Sequence, residues 1–223
     1  MLRDRPLSEF LQYLVSHEQT EQPLPALTAL SAELGVSVAS LREQLEVARA
    51  LGLVEVKPRT GIRRQPYNFL PAVRQSLQYA VALDKNNFIA FADLRRHVET
   101  AYWHEAVKLL TPEDHAELKD LAARAWEKLR GSPVEIPHNE HRELHLTVYR
   151  RLENPFVFGI LQAYWDAYET VGLNVFTDYN YLTEVWTYHQ KMVDSICNGK
   201  FDAGYQALAE HSDLINQLIS SSK

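Results

Sequence analysis

Apolar residues recur along most of the chain at three- and four-residue spacings, and strand-like alternation is confined to one short stretch near the N-terminus. That stretch lies between Leu24 and Arg64. A short periodic segment, Ala26 to Leu34, leads through Gly35-Val36-Ser37 into a second segment, Val38 to Leu51. In the second segment Leu41, Leu45, Ala48 and Leu51 share one helical face. Ser37 is placed to cap this helix, and Gly52 lets the chain leave it in a left-handed conformation. Leu53-Val54-Glu55-Val56 then alternates as a strand, Lys57-Pro58-Arg59-Thr60-Gly61 reads as a basic turn, and Ile62-Arg63-Arg64 reads as the return strand. Helix, tight turn, helix and basic hairpin make a winged helix-turn-helix, which lays one helix in the DNA major groove and the hairpin beside the phosphates. A short helix after Pro6-Leu7-Ser8 offers Phe10, Leu11 and Leu14 to pack on it.

Beyond a linker at Gln65-Pro66-Tyr67-Asn68-Phe69 the period is helical throughout. Helices are expected near 71–83, 88–109, 112–130, 137–151, 155–175, 180–198 and 202–219. Thr111-Pro112-Glu113-Asp114 is a strong start signal, with acidic groups in the first turn and proline where its missing donor costs nothing. Gly131-Ser132-Pro133, Asn154-Pro155 and Asn198-Gly199-Lys200 are the breakers. The expected fold class is mainly α: an N-terminal winged helix-turn-helix, residues 1–66, and a C-terminal antiparallel all-helical effector-binding bundle, residues 67–223.

Composition narrows the setting. The chain has 223 residues, one cysteine (Cys197) and no apolar run of membrane-spanning length, so a disulfide framework and a membrane partner are excluded and a cytoplasmic location is expected. The formal charge of -6 is unusual for a nucleic-acid binder. However, residues 1–64 carry 8 basic and 8 acidic side chains, so the excess lies wholly in the remainder. The basic groups are clustered: Arg42 and Arg49 on the second helix, and Lys57, Arg59, Arg63 and Arg64 along the hairpin. Ser37, Ser40, Arg42, Arg49, Lys57, Arg59, Thr60 and Arg63 form the candidate DNA-contacting set. Two copies in a homodimer would double the phosphate footprint on a double-stranded operator.

The bundle carries the candidate chemistry. His141 and His145 are one turn apart and point the same way, at the edge of an apolar stripe. His189 continues a stripe through Val185, Val193 and Ile196, and His211 sits between Leu208 and Ile215. Four neutral imidazoles from three helices suit Zn²⁺, Ni²⁺ or another divalent transition metal, although each alone reads as a hydrogen-bonded core histidine. Arg95 and Glu99, one turn apart, read either as an intrahelical ion pair or as a cavity-facing arginine able to clamp a carboxylate. Tyr102, Trp103, Tyr164, Trp165, Trp186 and Tyr188 are candidate pocket walls or core.

The reader segment resembles the DNA-binding domain of the GntR superfamily of transcription regulators. The resemblance is carried by Leu24-Pro25, Gly35-Val36-Ser37, Leu41-Arg42, Leu45, Leu51-Gly52-Leu53 and Arg59-Thr60-Gly61. Val38 stands where that family usually has a DNA-contacting arginine, and Ala26 where a capping serine is common. Residues 71–219 resemble the helical FCD-type effector domain of the FadR subfamily. That resemblance implies a metal held by an aspartate and three histidines, at positions matched here by His141, His145, His189 and His211. His141 replaces the aspartate, which removes a negative charge and favours borderline ions over Mg²⁺ or Ca²⁺, or else marks a site that has lost its metal.

The sequence therefore points to a non-enzymatic, ligand-responsive DNA-binding transcription regulator that senses a small-molecule carboxylate at Arg95 beside a divalent metal. Two rivals remain: a metalloenzyme with Glu140 or Glu143 as base, and a structural or interaction protein in which Val38 has ended DNA binding.

Overall fold

The computed structural model describes residues 7–17, 23–58, 61–171 and 178–221. The chain divides into two compact units, Met1–Ala72 and Val73–Lys223. The division falls within a helix, beyond the linker read at Gln65–Phe69. Pro71 still packs with the first unit: a Cβ added at Gly52 would lie 2.5 Å from its Cγ, and Gly52 has φ 71°.

The first unit comprises α1 (Glu9–Ser16), α2 (Leu27–Leu34), α3 (Val38–Ala50), β1 (Val54–Lys57) and β2 (Gly61–Arg64). Its core gathers Phe10, Leu14, Leu30, Leu41, Leu45, Ala48, Val54 and Ile62, so every element contributes an apolar face. Gly35 turns α2 into α3 at φ 67°, a conformation that suits glycine. Ser37 caps α3, its side chain accepting from the Ser40 amide, whereas Ala26 gives α2 no side-chain cap. The hairpin is antiparallel, with Val56 opposite Ile62 and Glu55 opposite Arg63. Gln44 ties α1 to α3: its Oε1 accepts from the Phe10 amide at 2.9 Å and its Nε2 donates to Glu9 Oε2 at 2.9 Å. This is the winged helix-turn-helix that the pattern implies.

Beyond the hairpin the described elements are all helices: α4 (Leu70–Leu83), which spans the division, α5 (Asn86–Lys108), α6 (Pro112–Arg130), α7 (His138–Tyr149), α8 (Pro155–Thr170), α9 (Tyr179–Cys197) and α10 (Phe201–Ser221). The order matches the expected series. The largest shift is in α8, which stops at Thr170 rather than 175, with Val171 as C-cap. Helix α7 is shorter at both ends than expected: Pro137 is its N-cap, and Arg150 and Arg151 are turned to Asp114 on α6. Thr111 and Asp114 form the reciprocal capping box of α6. Asn154 caps α8 by accepting from two amides, and Asp178 caps α9.

Helix α5 organises the second unit, packing against α7, α8 and α10. Its inward stripe runs Phe88, Ala92, Arg95, Glu99, Trp103 and Ala106. An arginine and a glutamate therefore sit in what is otherwise an apolar seam.

Candidate metal centre and nucleic-acid interface

Helix α7 projects His141 and His145 toward His189 on α9 and His211 on α10. One candidate ligand atom from each lies within 4.8 Å of every other. The rings pack closely: His189 is 4.6 Å from His141 and 4.3 Å from His211 between centroids, and His145 is 5.4 Å from His211. Trp165 closes one side, its ring 4.7 Å from that of His141, and Trp186 lies 4.8 Å from His189. His145, His189 and His211 are buried; His141 keeps some exposed surface but its Nε2 is fully enclosed.

Burial pushes His141, His189 and His211 well below the ordinary imidazole range, and their mutual repulsion and Arg95 add to this. Burial also lowers His145, with Arg95 acting the same way and Glu99 opposing. The rings are thus neutral near pH 7 and each offers a nitrogen lone pair.

The donor set fits a borderline divalent ion. His141 Nε2 and His211 Nδ1 are buried without a hydrogen-bond partner among the described residues. Buried polar atoms are rarely left so, and an ion is one of the things that satisfies them. His145 Nε2 and His189 Nε2 lie 3.0 Å apart. Two nitrogens bound to one ion at about 2.0–2.1 Å sit roughly 3 Å apart, so this spacing is compatible with shared coordination.

Behind His145 lies the charged pair of the α5 seam. Glu99 Oε1 is 3.0 Å and Arg95 Nη2 is 2.8 Å from His145 Nδ1. Arg95 Nε and Glu99 Oε2 are 3.0 Å apart, close enough to pair electrostatically though poorly aligned as a hydrogen bond. Burial opposes the charge on Glu99, but Arg95 and His145 outweigh it and hold the carboxyl below its usual range. The Arg95 guanidinium also faces Tyr164, 4.4 Å from its centroid, and Trp165 at 5.1 Å. Arg95 therefore does reach the histidine cluster, as one member of an internal pair. Glu99 is the contact that the sequence reading missed. Its signal was the placement of both charges on the apolar stripe of α5 rather than on a solvated face.

The other candidates sort clearly. Trp165 and Trp186 wall the centre and Tyr164 lies against the Arg95 guanidinium, whereas Trp103 donates to the Phe201 carbonyl, Tyr102 receives Asn154, and Tyr188 faces Lys191. His138 stacks on Tyr168 and bonds Glu169, outside the four-histidine group.

On the first unit, Arg42, Arg49, Lys57 and Arg63 are exposed on α3 and the hairpin. Arg49 pairs with Glu46 at 2.6 Å and Lys57 with Glu55 at 2.9 Å. Ser37 is committed to its cap, and Ser40 is half-buried, its Oγ receiving Gln44 Nε2 at 3.4 Å. Arg64 reaches the Leu14 carbonyl at 3.3 Å, a supporting contact. Arg59 and Thr60 lie outside the described residues. No described helix is long and apolar enough to cross a membrane.

Residues 90–214 match the family model described as the FCD domain. No curated protein sequence matches the chain. Solved structures of similar fold include "Streptococcus agalactiae GntR", with 15% identity over 93% of this chain and 95% of that one and a TM-score of 0.65. E. coli McbR/YncC gives 19% identity over 97% and 99%, with a TM-score of 0.51. Listeria monocytogenes Lar, described as controlling the agr system and mediating virulence, gives 16% identity over 94% of each chain and a TM-score of 0.51. At such identities the likeness concerns the fold, and it spans both units.

Proposed function

The chain belongs to the FCD-domain family and carries the fold of GntR-type regulators, and from that premise we propose that it is a metal-dependent, ligand-responsive transcription regulator of the FadR subfamily. The single observation that carries the sensing half is the four-histidine cluster enclosed by α7, α9 and α10. His141, His145, His189 and His211 hold a divalent transition metal, Zn²⁺ or Ni²⁺, which supplies a Lewis-acidic anchor for an anionic ligand. A small carboxylate bound there, with Arg95 beside it, changes operator affinity. With four imidazoles and no carboxylate ligand, the ion's charge is not neutralised within the cluster, which favours an anionic effector. The protein acts in the cytoplasm as a homodimer on a pseudopalindromic operator, through Arg42, Arg49, Lys57, Arg59 and Arg63, with Ser37, Ser40 and Thr60 at the edges of the contact.

The enzyme reading has little to stand on. Glu140 is buried against Lys128 at 2.8 Å, and Glu143 is exposed beside Arg142. Glu99, which does touch the cluster, is already engaged by Arg95 and His145.

The test is selection from a genomic fragment pool by purified dimer, with metal and candidate carboxylates varied. A short pseudopalindrome should be enriched, and Arg63→Ala should lower the slope of affinity against salt by about one. Failure to enrich any fragment under all these conditions rejects the regulator reading.

A further inference from the structure

His145 Nδ1 faces two groups from α5 that make opposite demands. Arg95 Nη2, at 2.8 Å, can only donate, and the ionised Glu99 Oε1, at 3.0 Å, can only accept. One ring nitrogen cannot satisfy both. On the far side of the ring, His145 Nε2 lies 3.0 Å from His189 Nε2. A neutral imidazole has one proton for its two nitrogens, so two arrangements exist. With the proton on Nε2, it is donated to His189, and the Nδ1 lone pair accepts from Arg95. With the proton on Nδ1, Glu99 accepts it, and the Nε2 lone pair is free to face the cluster. Only the second arrangement offers His145 Nε2 as a ligand.

We propose that His145 is a tautomeric switch: Arg95 holds the metal-free form, Glu99 is the positioning residue for the metal-binding form, and metal loading therefore releases an Arg95 N–H. This deepens the metal reading and rests on it. The released donor is buried, since Arg95 is 5% exposed, and it becomes available to an arriving anion. A carboxylate is then bound more tightly by the loaded protein for two reasons, the ion itself and the freed guanidinium donor. By linkage the anion tightens the hold on the metal by the same factor.

The experiment uses the full chain labelled with ¹⁵N-histidine and Zn²⁺, which is diamagnetic, as probe. Two-bond ¹⁵N–¹H correlation reads the tautomer, with His145→Asn assigning the signal. The His145 proton should sit on Nε2 without Zn²⁺ and on Nδ1 with it. The same tautomer in both states overturns the switch. Arg95→Met/Glu99→Met removes both charges together, leaves neither donor nor acceptor, and should weaken Zn²⁺ binding roughly 10- to 100-fold. Arg95→Met/Glu99→Gln should recover part of the loss, because the amide oxygen still accepts the Nδ1 proton. Equal Zn²⁺ affinity in the two double variants, both with wild-type helix content by circular dichroism, overturns the positioning role. Zn²⁺ uptake with an unmoved tautomer rejects the switch alone; no Zn²⁺ uptake by the wild type rejects the metal reading and the switch with it.

Discussion

An arginine and a glutamate within one helical turn occur in both units, and their surroundings make them different objects. On α3, Arg49 and Glu46 pair at 2.6 Å with side chains 59% and 61% exposed. On α5, Arg95 and Glu99 lie 3.0 Å apart with side chains 6% and 1% exposed. Water screens the first pair, which contributes about 0.3 kcal/mol or less and leaves Arg49 available to a phosphate. The second pair has lost its hydration, so each charge depends on the other and on His145. The reader unit thus keeps its charges in solvent, where a polyanion can collect them. The bundle seals this pair and the histidines beside it inside, where only an ion or a small ligand can reach.

The sharpest way to break the comparison is to remove one carboxylate from each pair. Glu99→Ala strands the Arg95 charge and should cost about 3–5 kcal/mol in urea unfolding, whereas Glu46→Ala should cost less than about 0.5 kcal/mol. Equal losses would mean that the α5 pair is hydrated. Metal removal comes next: with free ion at about a thousand times its Kd, chelation should lower unfolding free energy by about 4 kcal/mol, read as a fall in Tm. The pH dependence follows from the depressed histidines. Below about pH 6.5 the unfolded chain takes up protons that the buried rings refuse, so stability falls as pH drops. The slope is up to about 1.4 kcal/mol per pH unit for each ring that stays neutral, and acid also releases the ion. Urea titrations of metal-free protein at pH 7.5 and pH 5.5 measure it. A smaller effect than metal removal lies in the reader: Ser37→Ala removes the α3 cap and should cost about 1 kcal/mol without touching metal content.

How much of this was legible in the sequence depended on whether local periodicity decides the matter. The helix-turn-helix was readable because Gly35, Ser37, the Leu41-Leu45-Ala48 stripe and Gly52 each act within one or two turns. The four histidines were readable for a related reason: each falls on an apolar stripe, and stripes meet in a bundle core. The environment of Arg95 was not, because spacing alone cannot distinguish the exposed Arg49–Glu46 pair from the buried Arg95–Glu99 pair. The contact from Glu99 to His145 joins α5 to α7 across 46 residues and exists only once the bundle has packed. The end of α8 was also missed, although Gly172 follows the C-cap Val171 in the sequence, where a glycine commonly marks the end of a helix.

The central claim, that the bundle is built around a metal held by four imidazoles, is tested most directly by elemental analysis of protein purified without an affinity tag. Wild type should contain about one divalent transition ion per chain, and His189→Ala/His211→Ala essentially none while its helix content is retained. Retention of the ion by the double variant, or a wild-type chain that no divalent ion can load, contradicts it.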